Sequence, residues 1–209
     1  VTLAVEAVTG PRAYSMVNYD QATGKLTFVV KRFPGGAFSD WLFESEADGA
    51  EVEVFGPLGT ATFYPDEARN IICIGGGSGI AGMMSIIDRA CQENYFKDHE
   101  GHVFFGVRTL GDCFYLKELA QFAASAGDNL TVTVALSDED PGQSSHPDHP
   151  VLRLDTGFVH EAASRTRAGR FDNMVGYVAG PPPMVDAALR VLIAEGKLPP
   201  SDIRYDKFS

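Results

Sequence analysis

Ile71-Ile72-Cys73-Ile74-Gly75-Gly76-Gly77-Ser78-Gly79-Ile80-Ala81-Gly82 runs from an apolar stretch through a glycine cluster into a helical pattern. A short apolar run bounded by glycines has the length of a buried strand, and the apolar spacing over 81–92 has a helical period. Glycines at that junction let a backbone come close to a diphosphate. The start of the following helix offers free N–H groups and the positive end of its dipole. Gly77, Gly79 and Gly82 satisfy the G-x-G-x-x-G spacing, a weak signal alone, and the same residues would also serve a plain strand-to-helix turn. The strand before and the helix after strengthen the dinucleotide reading. The usual companion of this pattern, an acidic residue closing the next strand, is missing. That strand, 102–107, leads into Arg108-Thr109, so the sheet belongs to a different nucleotide-binding lineage.

Toward the C-terminus the pattern predicts a helix over 116–126, a strand over 130–136, a helix over 158–167, a strand over 176–179, a helix over 184–195 and a last strand over 203–205. Alternating strands and helices predict an open parallel sheet with helices on both faces, an α/β nucleotide-binding domain. Toward the N-terminus the chain reads as β, with extended segments at 1–8, 12–18, 25–32 and 51–55, a Pro34-Gly35-Gly36 turn and one short helix over 38–44. Short strands with glycine and proline turns predict a small β barrel or sandwich. The change of character near 65–69 divides the chain into 1–66 and 67–209.

The bulk properties narrow the function. The chain has 209 residues, 44% hydrophobic and 22% charged, enough for one large core or two modest ones. No apolar run reaches the roughly 20 residues of a membrane span. A formal net charge of -11 disfavours nucleic acid, whose phosphates demand Lys and Arg, and suits solubility or a partner with a basic docking face. Cys73, Cys91 and Cys113 are too few and too spread for a disulfide framework, a zinc site or an iron–sulfur cluster, and fit reduced thiols of a cytoplasmic protein. His146-Pro147-Asp148-His149 lacks a third fixed ligand, so no metal site is expected. With neither a start methionine nor a signal peptide, and Val1 opening directly into a strand-like run, the expectation is that the chain begins inside a larger parent.

Several short motifs then fall in order. Arg12-Ala13-Tyr14-Ser15 resembles the R-x-Y-S flavin motif of the ferredoxin–NADP reductase superfamily, and Gly36-Ala37-Phe38-Ser39 resembles its G-x-x-S diphosphate turn. The glycine loop resembles its G-G-G-T-G-I-A-P, and Ala179-Gly180-Pro181-Pro182-Pro183-Met184 resembles its C-G-P-P-x-M. The tail Tyr205-Asp206-Lys207-Phe208-Ser209 is similar to the aromatic tail of the NADH-oxidising electron-transfer branch, as are residues 106–115 and Thr156-Gly157-Phe158-Val159. Within the superfamily the chain looks most like the reductase components of bacterial aromatic-ring and alkene oxygenases. The resemblance implies a flavin β barrel, here N-terminally truncated and without the usual ferredoxin domain, followed by the α/β domain. It implies FAD and NADH as cofactors, with an iron–sulfur ferredoxin domain or protein and an oxygenase component as partners. Two other readings stay open: a reductase of free flavin or quinone, and a docking module that has lost its flavin.

The resemblance also implies roles. Arg12 would neutralise a flavin phosphate with its forked guanidinium. Tyr14 would stack on the isoalloxazine, and Ser15 would place a hydroxyl near flavin N5. Gly36, Phe38 and Ser39 would form the FAD diphosphate turn, with Ser39 equally readable as a helix N-cap. Gly76, Gly77, Ser78 and Gly79 would hold the NADH diphosphate, and Ala179, Gly180, Pro181, Pro182 and Met184 would flank the nicotinamide. Phe208 would cover the other flavin face, or else anchor the last strand. Tyr14, Ser15 and Phe208 are thus the candidate catalytic contacts. Ala179 stands where relatives usually have cysteine, Gly82 where they have proline, and Ser78 where they have threonine. NADPH-specific relatives place Ser-Arg after the strand corresponding to 130–136. Here Ser137 is followed by Asp138-Glu139-Asp140, which implies NADH, with Asp138 as a ribose acceptor and Arg108 as a remaining phosphate ligand.

Overall fold

The computed structural model describes residues 1–18, 24–45 and 47–208; Ser209, the last residue of the tail motif, lies outside them. The glycine-flanked apolar run is the central strand of a six-stranded parallel sheet. In chain order the strands are β4 (Asn70–Gly76), β5 (Gly101–Val107), β6 (Leu130–Leu136), β7 (Leu152–Thr156), β8 (Met174–Gly180) and β9 (Ile203–Lys207). Their spatial order is β7-β6-β5-β4-β8-β9. Strands buried on both faces need apolar residues at nearly every position, and β4 and β8 show this, with Ile71 through Gly76 and Met174 through Gly180 all buried.

Alternation along β4 feeds two cores. Ile71 and Cys73 point into one layer with Val103, Phe105 and Tyr177, under helices α2 (Ile80–Gln92) and α3 (Leu116–Ala126). Ile72 and Ile74 point into the other with Phe104 and Val178, under α4 (Val159–Arg167) and α5 (Pro182–Arg190). Helix α2 buries Ile80, Met83, Met84, Ile87 and Ala90, the three-and-four spacing of a helix with one apolar face.

Ahead of this lies a smaller antiparallel sheet, ordered β2-β1-β3, from β1 (Thr2–Ala4), β2 (Arg12–Ala13) and β3 (Glu53–Phe55). Leu3 pairs with Arg12 and Val54, and a small core of Leu3, Val5, Val8 and Phe38 lies beneath helix α1 (Ala37–Glu44).

The structure departs from the sequence expectation at identifiable places. The strand expected over 25–32 appears only as a single Met16–Phe28 bridge. The side chain of Asn18 takes ladder positions there, accepting from Thr27 N–H at 2.7 Å and donating to Lys25 O at 2.8 Å. The run over 1–8 forms a strand only at Thr2–Ala4. The edge strand β7 was not anticipated: its Leu152 and Leu154 are buried while Arg153 is exposed, an alternation too short to stand out beside a His/Pro-rich loop. The helix expected over 184–195 starts two residues earlier, where Pro182 suits a first turn that needs no N–H donor. It ends in a π-helical turn, Val191–Glu195, closed by Gly196 N–H onto Val191 O at 2.9 Å. Among the described residues no helix is long and apolar enough to cross a membrane.

Candidate active site

Parallel sheets bind ligands at the C-terminal ends of their strands, where the strand order reverses. Here the reversal lies between β4, whose successors run outward through β5, β6 and β7, and β8 on its other side. The glycine loop leaves β4 at this point, and Gly180-Pro181 leaves β8 beside it.

The two loops are pressed together. A Cβ on Gly79 would lie 2.1 Å from Ala179 O and 2.9 Å from Gly180 N. A Cβ on Gly180, whose φ is +149°, would lie 3.1 Å from Gly76 O and 2.5 Å from Met184 Cε. A Cβ on Gly76 would meet the same Met184 methyl at 2.9 Å. The Met184 methyl therefore packs against Gly76 and Gly180, and only glycine fits at Gly79 and Gly180. Gly77 differs: its φ is +52° and a Cβ there would meet nothing within 4 Å, so its exposed edge faces open space. An open, left-handed glycine at the start of a helix is the cradle a diphosphate needs, so these residues fit a dinucleotide.

Phe208 arrives at the same place. Its N–H donates to Gly180 O at 3.2 Å, and its ring is half-buried against the core layer that contains Ala179. From the segment just after β2 comes Ser15, whose Cβ lies 3.4 Å from where a Cβ on Gly82 would stand. Thus Ser15, the glycine loop, Ala179-Gly180 and Phe208 converge, although the chain separates them by nearly its whole length.

The other residues expected in the flavin site divide by exposure. Arg12 is exposed, its Nη1 donating to Gly10 O at 3.2 Å and Pro11 O at 3.1 Å. Tyr14 is half-buried, its ring 5.5 Å from Phe38 and 6.5 Å from Phe28, and burial raises its phenol above the ordinary value. Phe38 is only 4% exposed, so it supports Tyr14 from below rather than presenting a surface to a ligand. Ser39 is buried, and its hydroxyl donates to Phe33 O at 2.8 Å and accepts from Phe33 N–H at 3.1 Å. Gly36 N–H also donates to Phe33 O, at 2.9 Å. The Gly36–Ser39 turn is therefore closed by its own hydrogen bonds, at the start of α1. Phe38 and Ser39 thus face inward, with the serine hydroxyl engaged by Phe33.

At the far end of the crevice, Asp138 N–H donates to Arg108 O at 2.9 Å, which sets the two side by side after β6 and β5. The Arg108 side chain is 74% exposed, with Asp112 3.8 Å away. Of the three carboxylates after Ser137, Glu139 accepts from Leu110 N–H at 2.7 Å and Asp140 from Gly142 N–H at 2.9 Å. Asp138 accepts only the adjacent Ser137 hydroxyl among the contacts described, at 2.8 Å, and stays exposed. Sequence reasoning missed the loop-bracing part of Glu139, since a run of three acids does not reveal which one turns inward.

The family model for the oxidoreductase FAD-binding domain matches residues 1–63, and that for the oxidoreductase NAD-binding domain matches 73–190. The chain belongs to the ferredoxin–NADP reductase superfamily. Among curated members of this superfamily, the ferredoxin–NAD(P)(+) reductase CarAd of Metapseudomonas resinovorans is 34% identical over 94% of this chain and 55% of its own length. The propane 2-monooxygenase reductase component of Rhodococcus jostii is 31% identical over 95% of this chain and 51% of its own. The chain thus spans about half the length of these relatives. Among solved superfamily structures, the ferredoxin reductase in carbazole 1,9a-dioxygenase superposes with a TM-score of 0.81 at 32% identity, over 99% of this chain and 58% of that one. The FAD/NAD-binding domain of nitric oxide dioxygenase from Vibrio cholerae shares the fold, with a TM-score of 0.77 at 18% identity, over 99% of this chain and 82% of that one.

Proposed function

We propose that this chain is the flavin- and nicotinamide-binding part of an oxygenase reductase component, with residues 1–66 as the flavin unit and 67–209 as the nicotinamide unit. The observation that carries the reading is the convergence of Ser15, the glycine loop, Ala179-Gly180 and Phe208 on the reversal point of the parallel sheet. When bound, FAD would supply a hydride acceptor for NADH at N5 and a one-electron donor to an iron–sulfur ferredoxin domain or protein that feeds an oxygenase. The similar propane 2-monooxygenase reductase component and the ferredoxin reductase in carbazole 1,9a-dioxygenase support the same assignment.

In this reading the chain supplies geometry and electrostatics. Gly77 and the first turn of α2 hold the NADH diphosphate through N–H groups. Ala179, Gly180 and Pro181 shape the nicotinamide pocket, and Met184 closes its floor. Ser15 presents a hydroxyl to the reacting edge of the flavin. Tyr14 would hold one face of the flavin, and Phe208 would cover the other on the side where the nicotinamide enters. Arg12 neutralises phosphate. Asp138 accepts from ribose hydroxyls and repels a 2′-phosphate, so NADH is the donor. A cytoplasmic location goes with this reading, since Cys73, Cys91 and Cys113 are all free thiols.

The test is a visible absorption spectrum of the FAD-loaded protein before and after anaerobic NADH. Flavin bands that bleach support the assignment. A protein that stays colourless after FAD is supplied refutes it.

A further inference from the structure

Residues 62–69 carry the chain from the small sheet to the large one, and side chains of the large unit grip their backbone. Tyr177 Oη donates to Thr62 O at 3.2 Å, Arg89 Nη1 donates to Phe63 O at 3.1 Å, and Asn173 Nδ2 donates to Ala68 O at 3.4 Å. Tyr95 Oη donates to Arg69 O at 2.7 Å and accepts from Arg69 N–H at 2.8 Å. Phe63 is buried and packs edge-on against Tyr95.

Arg204 stands at the centre of this grip. Its Nη1 donates to Tyr177 Oη at 2.6 Å and to Thr62 O at 3.3 Å, and its Nη2 pairs with Glu67. The guanidinium lies 4.6 Å from the centre of the Tyr64 ring and 5.4 Å from that of Tyr177. The Arg204 side chain is only 13% exposed, so its charge is fixed by these partners rather than by water. Burial raises the Tyr177 phenol, which stays protonated and can donate to Thr62 while accepting from Arg204. Lysine could not copy this arrangement, because one ammonium lacks the planar fork that reaches three partners and stacks on a ring.

The position of this cluster matters more than its strength. Tyr177 and Arg204 are paired neighbours on β8 and β9. Tyr177 precedes Ala179 by two residues, and Arg204 precedes Phe208 by four. One guanidinium therefore ties the connector to both strands whose ends carry the nicotinamide-side loop and the aromatic cover.

We propose that Arg204 is a positioning residue for hydride transfer. By locking residues 62–67 to β8 and β9, it sets the placement of the flavin unit against Ala179 and Phe208, and so the distance over which hydride passes. The inference rests on the reductase reading above. It touches neither the glycine loop nor Asp138, so it concerns the rate at saturation and not NADH affinity.

The test uses the full FAD-loaded chain and two variants, Arg204→Met and Tyr177→Phe. Hydrogen–deuterium exchange is followed in peptides covering 60–69 and 71–76, and anaerobic flavin reduction by NADH is followed by stopped flow. The expected result is exchange tenfold or more faster over 60–69, with 71–76 unchanged. The limiting reduction rate should also fall tenfold or more, while half-saturating NADH stays within twofold. If Arg204→Met does not fold, Tyr177→Phe decides. Faster exchange with an unchanged limiting rate would make the cluster merely structural and overturn the proposal, as would unchanged exchange or an effect on half-saturation alone. Unmodified protein whose FAD is not reduced by NADH would overturn the reductase reading together with the inference. Unmodified protein that is reduced, with variants reduced as fast, would overturn the inference alone.

Discussion

Replacing Gly79 with alanine should damage this protein in a way that replacing Gly77 does not. The new Cβ at Gly79 would stand 2.1 Å from Ala179 O, 2.5 Å from Ala179 C and 2.9 Å from Gly180 N, whereas ordinary contacts begin near 3.4 Å. The loops must separate by about 1.3 Å, the difference between 3.4 and 2.1 Å. What is met is backbone, and Ala179 is held in the ladder between Gly75 on one side and Asp206 on the other. Overpacking costs about 1–3 kcal/mol, and a rigid neighbour puts this case near 3. At roughly 2–4 °C per kcal/mol for a chain of this size, the melting temperature should fall by about 6–12 °C. Alanine at Gly77 meets nothing and incurs only the left-handed backbone penalty of about 1–2 kcal/mol, roughly 2–8 °C. Its methyl group enters the space assigned to the diphosphate, so KM for NADH should rise tenfold or more in a protein that still folds. Thermal melts followed by NADH titration of flavin reduction separate the two effects. If Gly79→Ala melts like the unmodified protein with an unchanged KM, the loops are not packed as described. If Gly77→Ala is as destabilised as Gly79→Ala, the distinction between cradle and contact is wrong.

Other positions give independent tests. Gly82→Ala places a methyl in ordinary contact with Ser15 Cβ at 3.4 Å inside helix α2, so stability should rise by about 0.5–1 kcal/mol; a lower melting temperature would contradict that contact. Asp138→Arg should raise kcat/KM for NADPH relative to NADH at least tenfold; an unchanged ratio would remove Asp138 from cofactor selection. His102 is buried with Arg167 Nη1 2.8 Å from its Nε2, and burial first, then Arg167, lower its pKa from 6.5 to about 4. The unfolded chain therefore binds more protons between these values, and stability present above pH 6.5 is lost as pH falls toward 4. His102→Gln should remove about 2 kcal/mol of the stability difference between pH 6.5 and 4.5; melts showing the same slope with and without the histidine would refute this.

How much could be read in advance differs between the two units. The large sheet was legible because strands buried on both faces must be apolar along their length and the helices between them must show one apolar stripe. Both periods survive in 70–76, 81–92, 116–126 and 130–136. The glycine loop and the Gly180 turn beside it were legible because backbone crowding leaves no substitute for Gly79 and Gly180. The small sheet was less so, since a short extended segment becomes a strand only when a partner offers its ladder, and the Asn18 side chain takes that place for residues near Thr27. Side-chain direction also lay beyond the sequence. Ser39 and Phe38 carry the right letters for a ligand turn but face inward, and Glu139 braces Leu110 while its neighbour Asp138 stays exposed. The amino-acid pattern by itself determined the elements and the loops that can approach a phosphate, because these depend on local periodicity and on the absence of a Cβ. Only the tertiary structure decided that Ser15 meets Gly82, that Phe208 meets Gly180, and that Arg204 joins Thr62, Glu67 and Tyr177. Those are contacts between distant parts of the chain, fixed by how the strands order and pack rather than by any residue's neighbours in sequence.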